Sequence, residues 1–334
     1  MKFSFSYKPY KRLFRNSLRT ARGLWSDREG ILLKVESSDQ VALGEIAPIP
    51  EFGSETLDSA LSFIDSLEIK SLEALSSLEI PSSLPCCAFA FSSILRQCTP
   101  TERSFSDACL PVAGLLPSGK AMGAVLAEKK NLGFTTFKWK IGVEPLDLEF
   151  EMLKSAIDQL SDGEGFRLDA NGSLSVMDLD NWLRLCQTFN DKIEFFEQPL
   201  AVGQESEMAL LSKKYGIPIA LDESLNGPEA EAWMVPGAWA GPLVIKPCLL
   251  GSIRTQLECY KKIAHQLVVS SAFESSVGLN ECLGIALSLE DLRYALGVDT
   301  QSAFNDSYGV GISSPNIDYK KIVAHTKELI ENEF

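Results

Sequence analysis

The feature that most limits what this chain can fold into is a set of five short apolar segments between Phe137 and Pro247. Each ends on a charged residue. They read Phe137-Lys138-Trp139-Lys140, Phe166-Arg167-Leu168-Asp169, Ile193-Glu194-Phe195-Phe196-Glu197, Ile219-Ala220-Leu221-Asp222 and Leu243-Val244-Ile245-Lys246. Their length is that of a buried strand. Helix-patterned segments such as Asp147–Leu160 and Met177–Phe189 lie between them. Strand alternating with helix predicts a parallel sheet, closed as a barrel or open. The charged ends from Asp169 to Glu197 to Asp222 to Lys246 are 28, 25 and 24 residues apart. One βα unit of an eight-unit barrel of roughly 250 residues has about that length.

The charges sit at the carboxyl ends of their strands, the face on which such barrels do chemistry. One carboxylate there would read as a strand-end salt bridge. Asp169, Glu197 and Asp222 on consecutive strands converge, and three hard oxygen donors suit Mg²⁺. Strand parity points Lys138 and Lys140 the same way, into the mouth, with Lys246 facing them. A lysine beside other cations has a lowered pKa and can act as a base. By the same parity Glu194 and Glu223 point away from the site.

Together Lys138-x-Lys140, Asp169-Ala-Asn171, Glu197-Gln-Pro, Asp222-Glu-Ser and Ile245-Lys246-Pro resemble the enolase superfamily, muconate lactonizing enzyme subgroup. Two further runs are similar to one branch of it: Ser270-Ser-Ala-Phe-Glu-Ser-Ser-Val-Gly278, and Gly44-Glu-Ile-Ala-Pro48 followed by Glu55-Thr56. That branch removes water from 2-succinyl-6-hydroxy-2,4-cyclohexadiene-1-carboxylate, giving o-succinylbenzoate, in menaquinone and phylloquinone biosynthesis. The likeness runs from about residue 18 to about residue 300.

The resemblance implies an α/β fold: a modified, (β/α)7β form of the (β/α)8 barrel over residues 106–313, with an N-terminal α+β capping domain over 1–105. A tail, 314–334, is expected to pack back on the capping domain. It implies Asp169, Glu197 and Asp222 as metal ligands for Mg²⁺, or Mn²⁺, with Asn171 in support. Lys140 would be the base, and Lys246 a cation on the opposite face. A small dicarboxylate would be the substrate, met by Lys138, by Ser275 and Ser276 after the seventh strand, and by Arg19. Arg19 and Arg22 belong to a segment, Phe14–Asp27, read as a loop that folds over the mouth. A racemase or dipeptide epimerase of the same subgroup, using both lysines as acid and base, is the alternative. A Schiff-base aldolase fits poorly with three convergent carboxylates.

Ahead of these motifs, Lys2–Tyr7, Gly30–Glu36 and Val41–Glu45 alternate as strands of an antiparallel meander, and residues 54–66 are helical. The net charge of −14 argues against nucleic acid and anionic membranes as partners. Apolar stretches fall short of a membrane span. Basic residues near the start are followed by no apolar segment of a secretory leader. No protein partner is implied. None of the eight cysteines forms C-x-x-C, and with only two histidines a zinc site is disfavoured. Scattered cysteines in apolar segments fit reduced thiols and a cytoplasmic location. Nucleotide-binding glycine patterns are absent.

Overall fold

The computed structural model describes residues 3–20, 23–37, 40–98, 108–226 and 230–334. An antiparallel sheet opens the chain: β1 (Ser4–Thr20), β2 (Gly23–Ser37) and β3 (Gln40–Ile46). Helices α1 (Leu57–Asp65), α2 (Leu72–Ser76) and α3 (Pro85–Cys98) cover one face. Thr56 caps α1 by accepting the N–H of Ser59 at 3.1 Å, as an N-cap threonine does. The α3 backbone lies very close to β3. A Cβ at Gly44 would stand 2.6 Å from the Ala90 carbonyl oxygen, so the glycine allows this approach.

After β4 (Cys109–Pro111) come the parallel strands β5 (Gly114–Leu116), β6 (Thr136–Lys140), β7 (Gly165–Asp169), β8 (Ile193–Glu197) and β9 (Ile219–Ala220), hydrogen-bonded in that order. The alternating helices are α4 (Met122–Asn131), α5 (Leu146–Ile157), α6 (Val176–Cys186) and α7 (Glu205–Tyr215). Gly133 (φ 90°) and Gly216 (φ 70°) end α4 and α7 in the left-handed conformation that the stop signals Asn131-Leu-Gly and Tyr215-Gly call for. Next come α8 (Ala230–Trp233), β10 (Leu243–Ile245), α9 (Ile253–Ile263), β11 (Leu267–Val269) and α10 (Ser276–Ser288). Single bridges close the ring: Leu221 with Leu243, Ser270 with Gly297, and Leu296 with Val112. The eighth segment joins by these bridges and is not a full strand. Inside the barrel Phe195, Ala220, Val244 and Val268 form one apolar layer. Outward-facing Phe137 and Trp139 are fully buried against the helices. The fold is thus the α/β barrel with an N-terminal cap that the sequence predicts.

The chain ends in β12 (Asn316–Asp318), antiparallel to β4, and α11 (Tyr319–Glu333). Leu329 and Ile330 of α11 pack with Tyr10, Leu32 and Leu43 of the first sheet and Val277 of α10. No helix among the described residues is long and apolar enough to cross a membrane.

The segment read as a loop is strand over its described residues, 14–20 and 23–27. β1 and β2 pair out to Thr20–Gly23, with a shift in register between Leu13 and Leu18. Local alternation is absent there, and contacts from the barrel side supply the order. Phe14 bridges Phe304 and stacks on its ring at 4.6 Å, with Phe273 edge-on at 5.4 Å. Arg22 lies outside the described residues, as does the side chain of Arg19.

Candidate active site

Alternation in β6 sends Phe137 and Trp139 to the helices and leaves Lys138 and Lys140 for the barrel interior. Lys138 Nζ lies 2.8 Å from Asp169 Oδ2 and 2.7 Å from Glu197 Oε1. Lys246 Nζ pairs with Asp222 Oδ1 and stands 5.3 Å from the ring centroid of Phe52 in the capping region. All three carboxylates are buried. The structure therefore brings together the five charged strand ends and Lys138. Asn171 (φ 47°) joins them: its N–H donates to Asp169 Oδ1 at 3.0 Å and its Nδ2 to Glu223 Oε1 at 3.1 Å.

The lysines differ electrostatically. Burial, reinforced by the charge of Lys138, lowers the Lys140 pKa, although Asp169 opposes the shift. Burial also works against the charge of Lys246, but Asp222 and Glu223 outweigh it and hold its pKa up. Lys138 is likewise held up, because Asp169 and Glu197 overcome its burial. Lys138, expected to meet the substrate, stands between two carboxylates, a place that also suits an electrostatic partner of Lys140.

Glu223 does not point away. Asp222 has φ −127° and ψ −75°, which breaks the strand alternation that the parity argument assumed. Glu223 is buried in the mouth with Oε2 unpartnered, and burial and the Asp222 charge push its pKa up to about 7. Glu194 stays away, paired with Arg167 at 2.5 Å.

Ser275 and Ser276, read as substrate donors, are engaged with groups of the protein itself. Ser275 caps α10, and its N–H (2.8 Å) and hydroxyl (2.5 Å) both donate to the carboxylate of Glu45. That carboxylate also accepts the N–H of Gly278 (2.7 Å) and the Tyr10 hydroxyl (2.5 Å). A Cβ at Gly278 would meet Glu45 Oε2 at 3.0 Å. Ser276 lies 3.0 Å from His325 Nδ1, and its N–H donates to the Tyr308 carbonyl. The motif Phe-Glu-Ser-Ser-Val-Gly thus builds a joint between cap and barrel, which a sequence reading aimed at ligands missed. Buried arginines of β1 and β2 complete the joint. Arg12 donates to the Glu274 carbonyl (3.0 Å) and Gln301 Oε1 (2.9 Å), and Arg28 to the Ala272 carbonyl (3.1 Å). They hold a turn in which Phe273 takes φ 63°.

Glu45→Ala leaves four donors without an acceptor in a site that excludes water. Breaking such a buried network is expected to cost about 3–5 kcal/mol. Glu45→Gln should cost less, because one acceptor oxygen remains. Urea unfolding of the two variants measures this. A loss under about 1 kcal/mol for the alanine variant, on the order of a single ordinary hydrogen bond, would show that the joint contributes little.

Four buried carboxylates stand against three lysines, of which Lys138 pairs with Asp169 and Glu197 and Lys246 with Asp222. Burial and the neighbouring Asp169 charge push Glu197 up to about 8, while Asp169, next to the same ammonium, is lowered. One cation thus does not satisfy both. Among the described residues no three ligating side chains stand around one point as they would around an ion. The donor chemistry nonetheless fits a hard divalent ion: three buried carboxylates at successive strand ends, no sulfur, and no histidine among them.

Fold and site define a barrel whose mouth gathers buried carboxylates and lysines, the arrangement of an acid-base enzyme. Residues 121–313 match the family described as enolase C-terminal domain-like, and residues 17–98 match the MenC N-terminal domain. The chain is 34% identical over 283 residues to an o-succinylbenzoate synthase of Thermosynechococcus vestitus, covering 82% of this chain and 85% of that one. The crystal structure of o-succinylbenzoate synthase from Thermosynechococcus elongatus BP-1, with Mg in its active site, superposes with a TM-score of 0.78. It is 29% identical and covers 99% of this chain and 100% of that one. A substrate-liganded L-Ala-D/L-Glu epimerase from Bacillus subtilis shares the fold at 18% identity, TM-score 0.75, over 92% of each chain. The chain belongs to the enolase superfamily and, within it, to the o-succinylbenzoate synthase family.

Proposed function

We propose that this enzyme dehydrates 2-succinyl-6-hydroxy-2,4-cyclohexadiene-1-carboxylate to o-succinylbenzoate, a step of menaquinone and phylloquinone synthesis. The observation that carries the reading is the mouth itself. One lysine of lowered pKa and one of raised pKa stand beside convergent carboxylates, in a chain 34% identical to a synthase. Asp169, Glu197 and Asp222 would hold a divalent ion, Mg²⁺ before Mn²⁺, which supplies the charge that acidifies a proton next to a carboxylate. Lys140 takes that proton from C1 of the ring. The bond from C6 to its hydroxyl then breaks, and Lys140 returns the proton to the departing oxygen, so water leaves and the ring becomes aromatic. Lys246 stays protonated and stabilises the negative charge that develops. Asn171 holds Asp169 and Glu223 in place. Arg19, on the long hairpin, is assigned to attraction of the dianionic substrate.

In this reading residues 1–105, with the tail 314–334, form the cap, and 106–313 the catalytic barrel. The eight cysteines are free thiols, which supports a reducing, cytoplasmic setting. The test is incubation of the chain with the cyclohexadiene substrate and Mg²⁺, following the aromatic product by absorbance. No product, with α-proton exchange of N-acylamino acids or dipeptides instead, would favour the epimerase reading. Shared fold with the Bacillus enzyme and lysines on two sides of the mouth keep that reading in play.

A further inference from the structure

Gln198 directly follows Glu197 and is fully buried. Its φ of 34° is uncommon for a residue with a Cβ, and it turns the side chain toward the end of β9. There the carboxamide engages both its oxygen and its nitrogen. Oε1 accepts the N–H of Asp222 at 3.0 Å and of Ser224 at 3.2 Å. Nε2 donates to the Ser224 hydroxyl at 2.8 Å and the Leu200 carbonyl at 3.1 Å. Because the backbone groups can only donate or only accept, they settle which end of the amide is which. The Ser224 hydroxyl passes the chain on to Glu205 Oε1 at 2.6 Å, which also accepts the N–H of Gly203 at 3.0 Å.

Asp222 needs such support. Its backbone lies outside the regular wells, a conformation that persists only when its surroundings impose it. We propose that Gln198 is a positioning residue for the metal site: by gripping the turn after β9 from the turn after β8, it fixes the Asp222 carboxylate relative to Glu197 and thereby sets divalent-metal affinity. The proposal rests on the metal reading above. Only an amide meets two backbone N–H groups with one atom and donates with the other. Glutamate would place a second acceptor against the Leu200 carbonyl, and leucine would strand two buried N–H groups.

The test is calorimetric titration of Mg²⁺ into the metal-stripped full chain, for the wild type, Gln198→Glu, Gln198→Leu and Ser224→Ala. Thermal unfolding in chelator reports fold stability separately. Loss of an outer partner of a ligand typically costs about 10–100-fold in metal affinity, and that rise in Kd is expected for both Gln198 variants. Ser224→Ala removes only the hydroxyl that orients the amide, and about threefold is expected, on the scale of one neutral hydrogen bond. If the Gln198 variants do not fold, Ser224→Ala decides by the same titration. A Kd within twofold of wild type in every folded variant overturns the proposal, as does a lower melting temperature in chelator with Mg²⁺ affinity unchanged. Absence of Mg²⁺ binding by the wild type removes the metal reading and this proposal with it.

Discussion

Lys140→Arg is expected to abolish dehydration, whereas Lys246→Arg is expected to retain a measurable rate. In syn elimination one group performs both proton transfers and the other only supports charge. Lys140 shares its strand with Lys138, and burial together with that neighbour lowers its pKa. Arginine cannot serve as the base because it does not give up its proton near neutral pH. A lost general base costs about 10²–10⁴-fold. Lys246 is held in its charged form by Asp222 and Glu223 against its burial. Arginine keeps a cation there, so the loss should stay below the roughly 10²–10³-fold that removal of a charge-stabilising donor costs. Lys246→Ala should suffer that full loss. The measurement is the rate of aromatic product formation, with folding checked by circular dichroism. An epimerase needs a proton exchange from each lysine, so both arginine variants would be equally dead. Equal and complete loss here would count against the one-base mechanism.

Much of this site could be read from the chain because it obeys two short-range rules. Strand parity places Lys138 and Lys140 together, and strand ends place Asp169, Glu197 and Asp222 at one mouth. Both rules fail where the backbone leaves the strand. Asp222, at φ −127° and ψ −75°, throws Glu223 into the mouth, and parity could not foresee this. The hairpin beyond Leu13 carries no alternation. Its order comes from Phe273 and Phe304, about 260 to 290 residues further along. That Ser275 and Ser276 also hydrogen-bond to Glu45 and His325 could not be read from the chain. The pairing of Ser275 with Glu45 spans 230 residues and joins two layers of the fold. Gln198 stood in plain sight inside Glu-Gln-Pro, yet its partner is the backbone of the next strand end, which carries no sequence signal.

The two halves of the molecule meet through polar groups as well as apolar ones. Arg12, Arg28 and Glu45 all lie in the first sheet, and all three contact the turn 272–275 or the start of α10. The same sheet carries the hairpin, and just beyond it Phe52 stands beside Lys246. Cap and catalytic mouth are thus joined by direct contacts at the turn after β11 and at Lys246.

Removing the metal, or one carboxylate that would hold it, is expected to separate stability from activity. In the metal-free protein Asp169, Glu197, Asp222 and Glu223 crowd one mouth, and burial together with a neighbouring carboxylate charge disfavours the charged forms of Glu197 and Glu223. Glu197→Gln puts a neutral amide where burial and the Asp169 charge already push the carboxyl up to about 8. The metal-free variant should thus melt no lower than the metal-free wild type, although a buried ligand has been changed. With Mg²⁺ the order reverses. An ion at a hundredfold excess over its Kd stabilises the wild type by about 2.7 kcal/mol, and the variant should gain far less. Its dehydration rate should fall by about 10²-fold or more, on the scale of losing transition-state charge stabilisation. Asp169→Asn and Asp222→Asn should likewise lose metal binding. Asp222→Asn should in addition weaken the metal-free fold, since it strips the partner from Lys246. Melting curves in chelator and in Mg²⁺, together with rates in both, measure all four quantities. Full activity in excess chelator, with metal absence verified by elemental analysis, would sink the metal assignment. A Glu197→Gln variant that gains as much stability from Mg²⁺ as the wild type would remove Glu197 from the ligand set.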